Sequence, residues 1–293
     1  MSLIPVYRSR QSALHTARAG AGAAYCGALA LTGALFLHPL VLSAALAAIV
    51  LAGIAAGVGR EIGRSLRFAL PFALLITLIN PLVYPEGETL LFRGGEILGR
   101  RIDITLEATA AGALNGMRVI VIVSAFGLLS AAVDPDQLLR MFRRVSYRSA
   151  LTATLATRLV PVLARDATRM GDAARCRPHP PGRLTVGRAA LSSALDRAVE
   201  VAAALEVRGY SLGGRTAHRP QAWSRHDWRV GGAAAAIAVA AVAGAIAGLC
   251  TVEAYPTLEI ETGAPEVALS AGVVLLALAP FAGRAARMGV AHA

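Results

Sequence analysis

Residues 20–58 read GAGAAYCGALALTGALFLHPLVLSAALAAIVLAGIAAGV, and they decide the class of fold. Two apolar runs, 20–37 and 39–58, follow each other with only His38-Pro39 at the junction, and neither holds a formal charge. Crossing roughly 30 Å of hydrocarbon takes about 20 mostly apolar residues, so each run approaches the length of a span. Arg8, Arg10 and Arg18 ahead of an Ala-rich run have the look of a cleaved leader. A leader would not be followed at once by a second apolar run, so the pair reads as a helical hairpin.

Four further runs of the same character follow, at roughly 68–85, 108–133, 231–251 and 267–283. The chain has 293 residues, of which 56% are apolar, and its mean hydropathy is +0.58. Ordinary soluble domains are about 45–50% apolar and richer in charge, so the chain reads as a membrane protein. The expected fold is all-α and integral to the membrane, with about six transmembrane helices. Its organisation divides into a membrane domain at 1–133 with about four spans, a cytoplasmic region at 134–229, and a C-terminal membrane hairpin at 230–293.

All 29 basic residues are arginine, and their distribution orients the chain. Arg8, Arg10 and Arg18 precede the first span; Arg60, Arg64 and Arg67 separate the second and third; seventeen arginines occupy 140–229; Arg284 and Arg287 follow the sixth. On the other side, the loop at 252–266 holds Glu253, Glu259, Glu261 and Glu266 with no base. Six spans put every strongly basic segment on one side, which the positive-inside rule identifies as the cytoplasm. Both termini are therefore expected to be cytoplasmic, at the cell membrane. The net charge of +11 is accounted for by this asymmetry. Nucleic acid is not expected as a partner, since the arginines are not interleaved with aromatics on a soluble face.

Residues 134–229 are too polar to span the bilayer and too poor in large apolar side chains to form a conventional core. Two amphipathic helices are predicted there. In 149–177, Leu151, Leu155, Leu159, Leu163, Ala167 and Met170 recur at helical spacing, with a kink expected at Pro161. In 188–208 the stripe is Leu191, Leu195, Ala198, Ala202 and Leu205, and PHPPG at 178–182 breaks the helix between them. Both helices end alike. AARCRP (173–178) and ALEVRG (204–209) each place an alanine four residues before an arginine, so that Ala173 with Arg177, and Ala204 with Arg208, fall on one helix face. Gly209 suits a left-handed C-terminal cap, with Arg208 complementing the helix dipole. Such an end also offers a small-residue face beside a forked guanidinium able to pair with a carboxylate of another protein. The competing reading is a helix pair floating on anionic lipid.

The run TRLVPVLARDATRMGDAARCR (157–177), followed by AALEVRGYSLGGRT (203–216), resembles the transmembrane T component of energy-coupling factor (ECF) transporters, the CbiQ-like family. That family ends two cytoplasmic coupling helices on short Ala-Arg-Gly signatures. The second signature is matched by Ala204, Glu206, Arg208, Gly209 and Tyr210; the first by Ala173, Arg175 and Arg177, with Pro178 where glycine is usual. SALHTARAG (12–20), INPLVYP (79–85) and ALNGMRVIVIVSAFGLLSAAVDPDQL (113–138) extend the likeness. The resemblance implies a non-catalytic subunit without cofactors. Its partners would be two cytoplasmic ABC ATPase subunits and a substrate-binding membrane S component within the lipid bilayer, the cargo being cobalt, nickel, biotin or another vitamin.

The residues agree with that implication in what they lack. There is no GxxxxGK[ST] phosphate loop, HExxH or Ser/His/Asp arrangement. Cys26, Cys176 and Cys250 are scattered, and His179 and His218 are isolated, so no metal site is expected. Inside the membrane, Arg118 must face protein or water, either as a structural brace or as a contact on a transport path. Asn80, Asn115 and Glu107 are its candidate partners. Gly53/Gly57, Gly112/Gly116 and Gly244/Gly248 are spaced for close helix approach. The alternative function is a stand-alone membrane permease or enzyme whose basic insert binds phospholipid.

Overall fold

The computed structural model describes residues 12–83, 89–97, 100–142, 147–179, 181–209, 223–250 and 263–282. Arg8, Arg10, Tyr210, His218, Glu253, Glu259, Glu261, Arg284, Arg287 and the Leu151 side chain lie outside the described residues. The chain forms two compact units, one from Met1–Leu138 with Trp223–Ala293 and the other from Leu139–Ala222.

The first unit is built of apolar helices suited to the membrane. After the single-turn α1 (Ala13–Thr16) come α2 (Ala19–Leu35), α3 (Pro39–Ala55), α4 (Gly59–Val83) and α5 (Leu106–Ala132); α9 (Arg225–Ile246) and α10 (Ala264–Leu278) complete it. Helices α4, α5 and α9 are long and apolar enough to cross a bilayer, while α2, α3 and α10 are shorter apolar helices of 15–17 residues. One element was not expected from the sequence. Between α4 and α5 the chain makes an antiparallel hairpin of β1 (Leu90–Ile97) and β2 (Arg100–Thr105). A short α6 (Pro135–Phe142) follows α5.

Local chemistry starts these helices where they start. His38 caps α3 by accepting the Leu40 N–H on Nδ1 at 3.3 Å, and Pro39 occupies the first turn, where its missing N–H leaves no gap. Thr105 Oγ1 accepts the Ala108 N–H to open α5. Ser224 and Asp227 form a reciprocal capping box at α9. At α10, Glu266 reaches back to the Gly263 N–H at 2.8 Å. Glu61, Glu107, Asp227 and Glu266 all lie in the first turn of a helix and all are buried. A carboxylate there complements the positive helix end, which lets an acid be buried at low cost.

Asp227 and Glu107 also bind chain from elsewhere. Asp227 Oδ1 accepts the backbone N–H of Arg18 at 2.7 Å, joining the start of α2 to the start of α9. Glu107 accepts the Thr89 N–H at 3.1 Å and the Thr89 hydroxyl at 2.6 Å, fixing the root of the β-hairpin.

The core of this unit centres on Tyr25, Leu29, Leu42, Ile49, Ile62, Leu128 and Ile237, all fully buried. Tyr25 spends its hydroxyl on the Ala277 carbonyl at 2.7 Å, tying α2 to α10 inside the bundle. Helix α5 packs against α2, α3 and α4, and α4 turns Phe68, Phe72, Leu74 and Leu78 outward, as a lipid-facing helix does.

The three glycine pairs separate by role. A Cβ on Gly112 would meet Asn80 Cβ at 2.9 Å and the Thr77 carbonyl at 3.0 Å; one on Gly116 would meet the Ala73 carbonyl at 2.8 Å. Both glycines therefore bring α5 against the backbone of α4, and Gly127 makes room for the Ser65 side chain. In the other pairs the first member is a contact, Gly53 against Ile62 and Gly244 against Leu269 and Phe36. Gly57 and Gly248 instead take positive φ, 77° and 67°, and end α3 and α9. The backbone bonds Val58 N–H to Gly53 O and Leu249 N–H to Gly244 O close the same turn at each.

The second unit holds α7 (Tyr147–Arg175) and α8 (Arg183–Val207), which pack on each other and are joined by an ion pair of 3.1 Å between Asp166 and Arg197. Pro161 lies within α7 without ending it.

Candidate functional site

The two helix ends singled out from the sequence belong to the second unit. Helix α8 ends as its composition dictates. Arg208 is the C-cap, its N–H still bonded to the Ala204 carbonyl at 3.2 Å, so that Ala204 and Arg208 do share a face. Gly209 follows at φ 71°, with its N–H on the Glu206 carbonyl at 2.9 Å. That conformation strains any residue with a Cβ, and glycine holds it freely. Ala204, Glu206 and Arg208 are exposed.

Helix α7 ends differently from expectation. Its last helical residue is Arg175, which pairs at 3.6 Å with Asp172 one turn back. The Arg177 N–H reaches only to the Ala174 carbonyl, at 3.3 Å, a tightened turn that takes Arg177 off the helix. Ala173 and Arg177 therefore do not share a regular helix face. With proline at 178 the chain lacks the glycine that would let a left-handed cap continue the bonding. Ala173, Arg175 and Arg177 are all exposed. Among the described residues, neither Arg177 nor Arg208 has an ion-pair partner.

The two tips stand at opposite ends of α8, since Arg177 is in the elbow that leads into it and Arg208 closes it. With 25 residues in α8, and 1.5 Å of rise for each, the span between these ends is roughly 37 Å. The geometry thus presents two separate cationic points on one rod.

Of the apolar stripe predicted for α8, Leu191, Leu195, Ala198 and Ala202 face outward and Leu205 is half-buried. Leu191 and Leu195 are 63% and 61% exposed, with Val199 and Val207 beside them exposed too. The face against α7 is made instead by Val186, Ala190, Ser193, Ala194, Arg197, Val201 and Leu205. Small residues admit a close approach of the two helices, and the Asp166–Arg197 pair sets which face turns in. On α7 the stripe residues Leu155, Leu159, Leu163 and Met170 are half-buried, whereas Ala167 is exposed.

In the membrane unit, Asn80 and Arg118 are on α4 and α5, and their expected pairing is not what the structure shows. Asn80 Nδ2 donates to the Ala108 carbonyl at 2.9 Å. Glu107 is engaged by Thr89. Arg118 Nε is buried and makes no hydrogen bond among the described residues. Thr77, two turns from Ala69 and facing the same seam as Asn80, donates to Ala73 O at 2.8 Å and approaches Gly112 O at 3.3 Å. Among the described residues no three His, Cys, Asp or Glu side chains converge as ligands for a metal ion.

No curated protein matches the chain. Residues 11–219, from the start of α1 to beyond the α8 tip, match the family described as CbiQ, cobalt transport protein. That match covers most of the chain and agrees with the apolar helices of the first unit, which fit a membrane-embedded transport component. The chain is a member of the CbiQ cobalt transport protein family.

Proposed function

We propose that this protein is the T component of an energy-coupling factor ABC importer, transmitting the movement of two cytoplasmic ATPase subunits to a membrane S component that holds the cargo. The observation that carries the reading is the pair of exposed arginines at opposite ends of α8, Arg177 and Arg208, which have no ion-pair partner among the described residues. One ATPase takes each tip, Ala173, Arg175 and Arg177 at one and Ala204, Glu206, Arg208 and Gly209 at the other. A rod of fixed length then converts a change in the distance between the ATPases into displacement of the membrane unit. Asn80 and Arg118 brace that unit. The second unit is cytoplasmic, as are both termini, and the protein resides in the cell membrane. The family description makes a cobalt ion the first cargo to test.

The test is ATPase retained on the detergent-solubilised protein. Truncating an arginine that pairs in a desolvated groove costs about 2–5 kcal/mol. Two tips on one element also bind with avidity, because docking the first raises the effective concentration of the second. Arg208→Ala alone therefore weakens the complex, and Arg177→Ala with Arg208→Ala releases the ATPases. Gly209→Val damages docking as well, since a β-branched residue resists the left-handed turn. Full retention by the double variant would refute the docking role.

A further inference from the structure

Both tryptophans of the chain, Trp223 and Trp228, meet in one place, at the N-terminal end of α9. Their ring centroids are 5.1 Å apart, and they are 56% and 68% exposed. The Arg18 guanidinium lies 5.5 Å from the centre of the Trp223 ring, held there by Asp227 at 3.6 Å. Its Nη2 is buried without a hydrogen-bond partner. Arg225 and Arg229, one turn apart on α9 and either side of Trp228 in the chain, are exposed. Counting Arg18, Arg225 and Arg229 against the single carboxylate Asp227, the cluster carries a net positive charge.

Two exposed indoles at one point mark an interaction surface, and at the end of a membrane helix that surface is the bilayer interface. Helix α9 is long and apolar enough to cross the bilayer, and its charged residues all precede Val230, so the rings stand at the level where hydrocarbon gives way to headgroups. Indoles favour that boundary, having an apolar body and one N–H donor. Guanidinium groups at the same level meet lipid phosphates, to which they donate paired hydrogen bonds.

We infer that Trp223, Trp228, Arg225 and Arg229, with Arg18 behind them, form a binding site for the phosphate headgroup of an anionic phospholipid. The occupant is a lipid and not a soluble phosphate because the cations are interleaved with exposed indoles at the foot of a membrane helix. The indoles cover the glycerol and upper acyl region, and Arg225 and Arg229 hold the phosphate. The site belongs wholly to the membrane unit and does not depend on the coupling role of α7 and α8.

Because the site contains every tryptophan in the chain, intrinsic fluorescence reports on it without a label. The full-length protein is reconstituted in vesicles of phosphatidylcholine with a minor fraction of phosphatidylglycerol. Two preparations have the same lipid composition and bromine content, with the bromine on the acyl chains of one lipid or of the other. Brominated phosphatidylglycerol is expected to quench more strongly than its bulk fraction predicts, with local enrichment of about fivefold for each arginine. Arg225→Gln with Arg229→Gln abolishes the excess, while Arg225→Lys with Arg229→Lys, which keeps the charge, retains most of it. Thermal unfolding of each variant shows that it is folded. Equal quenching by the two lipids in the wild-type protein would overturn the site, and so would an excess that survives the double glutamine substitution. Loss of the excess on adding inorganic phosphate would assign the cluster to a soluble anion and overturn the lipid.

Discussion

Removing the Asp227 side chain tests the scaffold of the membrane unit at its most connected point. The carboxylate is buried, at 2% exposure, and serves two helices. It accepts the Ser224 N–H at 2.8 Å as the returning half of the α9 capping box, and the Arg18 N–H at 2.7 Å at the head of α2. It also lies 3.6 Å from the Arg18 Nε. Asp227→Ala loses all three. Loss of the box costs about 1 kcal/mol, and an orphaned Arg18 amide about 1–3 kcal/mol. The ion pair adds less than a buried one would, because a third of the Arg18 side chain is exposed. The sum is about 2–4 kcal/mol. Asp227→Asn keeps one acceptor and loses about half as much, while Arg18→Gln leaves the backbone bond in place and costs under about 1 kcal/mol. The assay is the midpoint of thermal unfolding of the detergent-purified protein, followed by size-exclusion chromatography after heating. The expected order of damage is Asp227→Ala, then Asp227→Asn, then Arg18→Gln. If Arg18→Gln proved as harmful as Asp227→Ala, the side-chain ion pair and not the backbone tie would be joining the helices, and the reasoning would fail.

Two further outcomes follow from the geometry. Gly116→Ala drives a Cβ against the Ala73 carbonyl, which cannot yield as a side chain would, so the midpoint falls by the equivalent of about 1–3 kcal/mol. Gly63→Ala meets nothing within 4 Å and gains about 0.4–1 kcal/mol from a stiffer unfolded chain; equal responses at the two sites would deny the tight α4–α5 seam. The single exposed native cysteine among the described residues, Cys176, offers a topology test. An impermeant maleimide is expected to label Cys176 only after permeabilisation. Ala264→Cys in a Cys176→Ser background is expected to label in intact cells, and labelling of both from one face would sink the orientation.

Much of this fold is legible in the chain because burial in lipid leaves so coarse a signature. The hairpin across His38-Pro39 could be read at once, since two uncharged runs joined by a capping histidine and a proline have few other structures open to them. Gly209 was legible for a related reason, as a glycine after a helical stripe has one conformation that only it enters easily. The α8 face was not. Leu191 and Leu195 promise burial by composition, yet the Asp166–Arg197 pair and a row of small residues turn the opposite face inward, and a pairing 31 positions long leaves no periodicity to read. The β-hairpin escaped because its mixed charges mask the alternation that marks a strand. The carboxylate ties had a local signal, Ser224-x-x-Asp227, but the distant partner Arg18 is a matter of tertiary structure. The same limit applies to Arg118, whose candidate partners Asn80 and Glu107 were plausible by depth and are occupied elsewhere.

The seam between α4 and α5 has a mechanical consequence. At Gly112 and Gly116 the two helices touch almost backbone to backbone, with Thr77 and Ala73 on the facing side, and at Gly127 only the short Ser65 side chain lies between them. Between most helices a layer of side chains can change rotamer and absorb a small displacement, like a cushion. Here there is no cushion, so a push on either helix reaches the other undiminished and the pair moves as one stiff strut. The outward face of α4 carries Phe68, Phe72, Leu74 and Leu78, an apolar surface suited to acyl chains. A displacement applied to either helix is therefore expected to move the two as one strut, with little taken up at the seam between them.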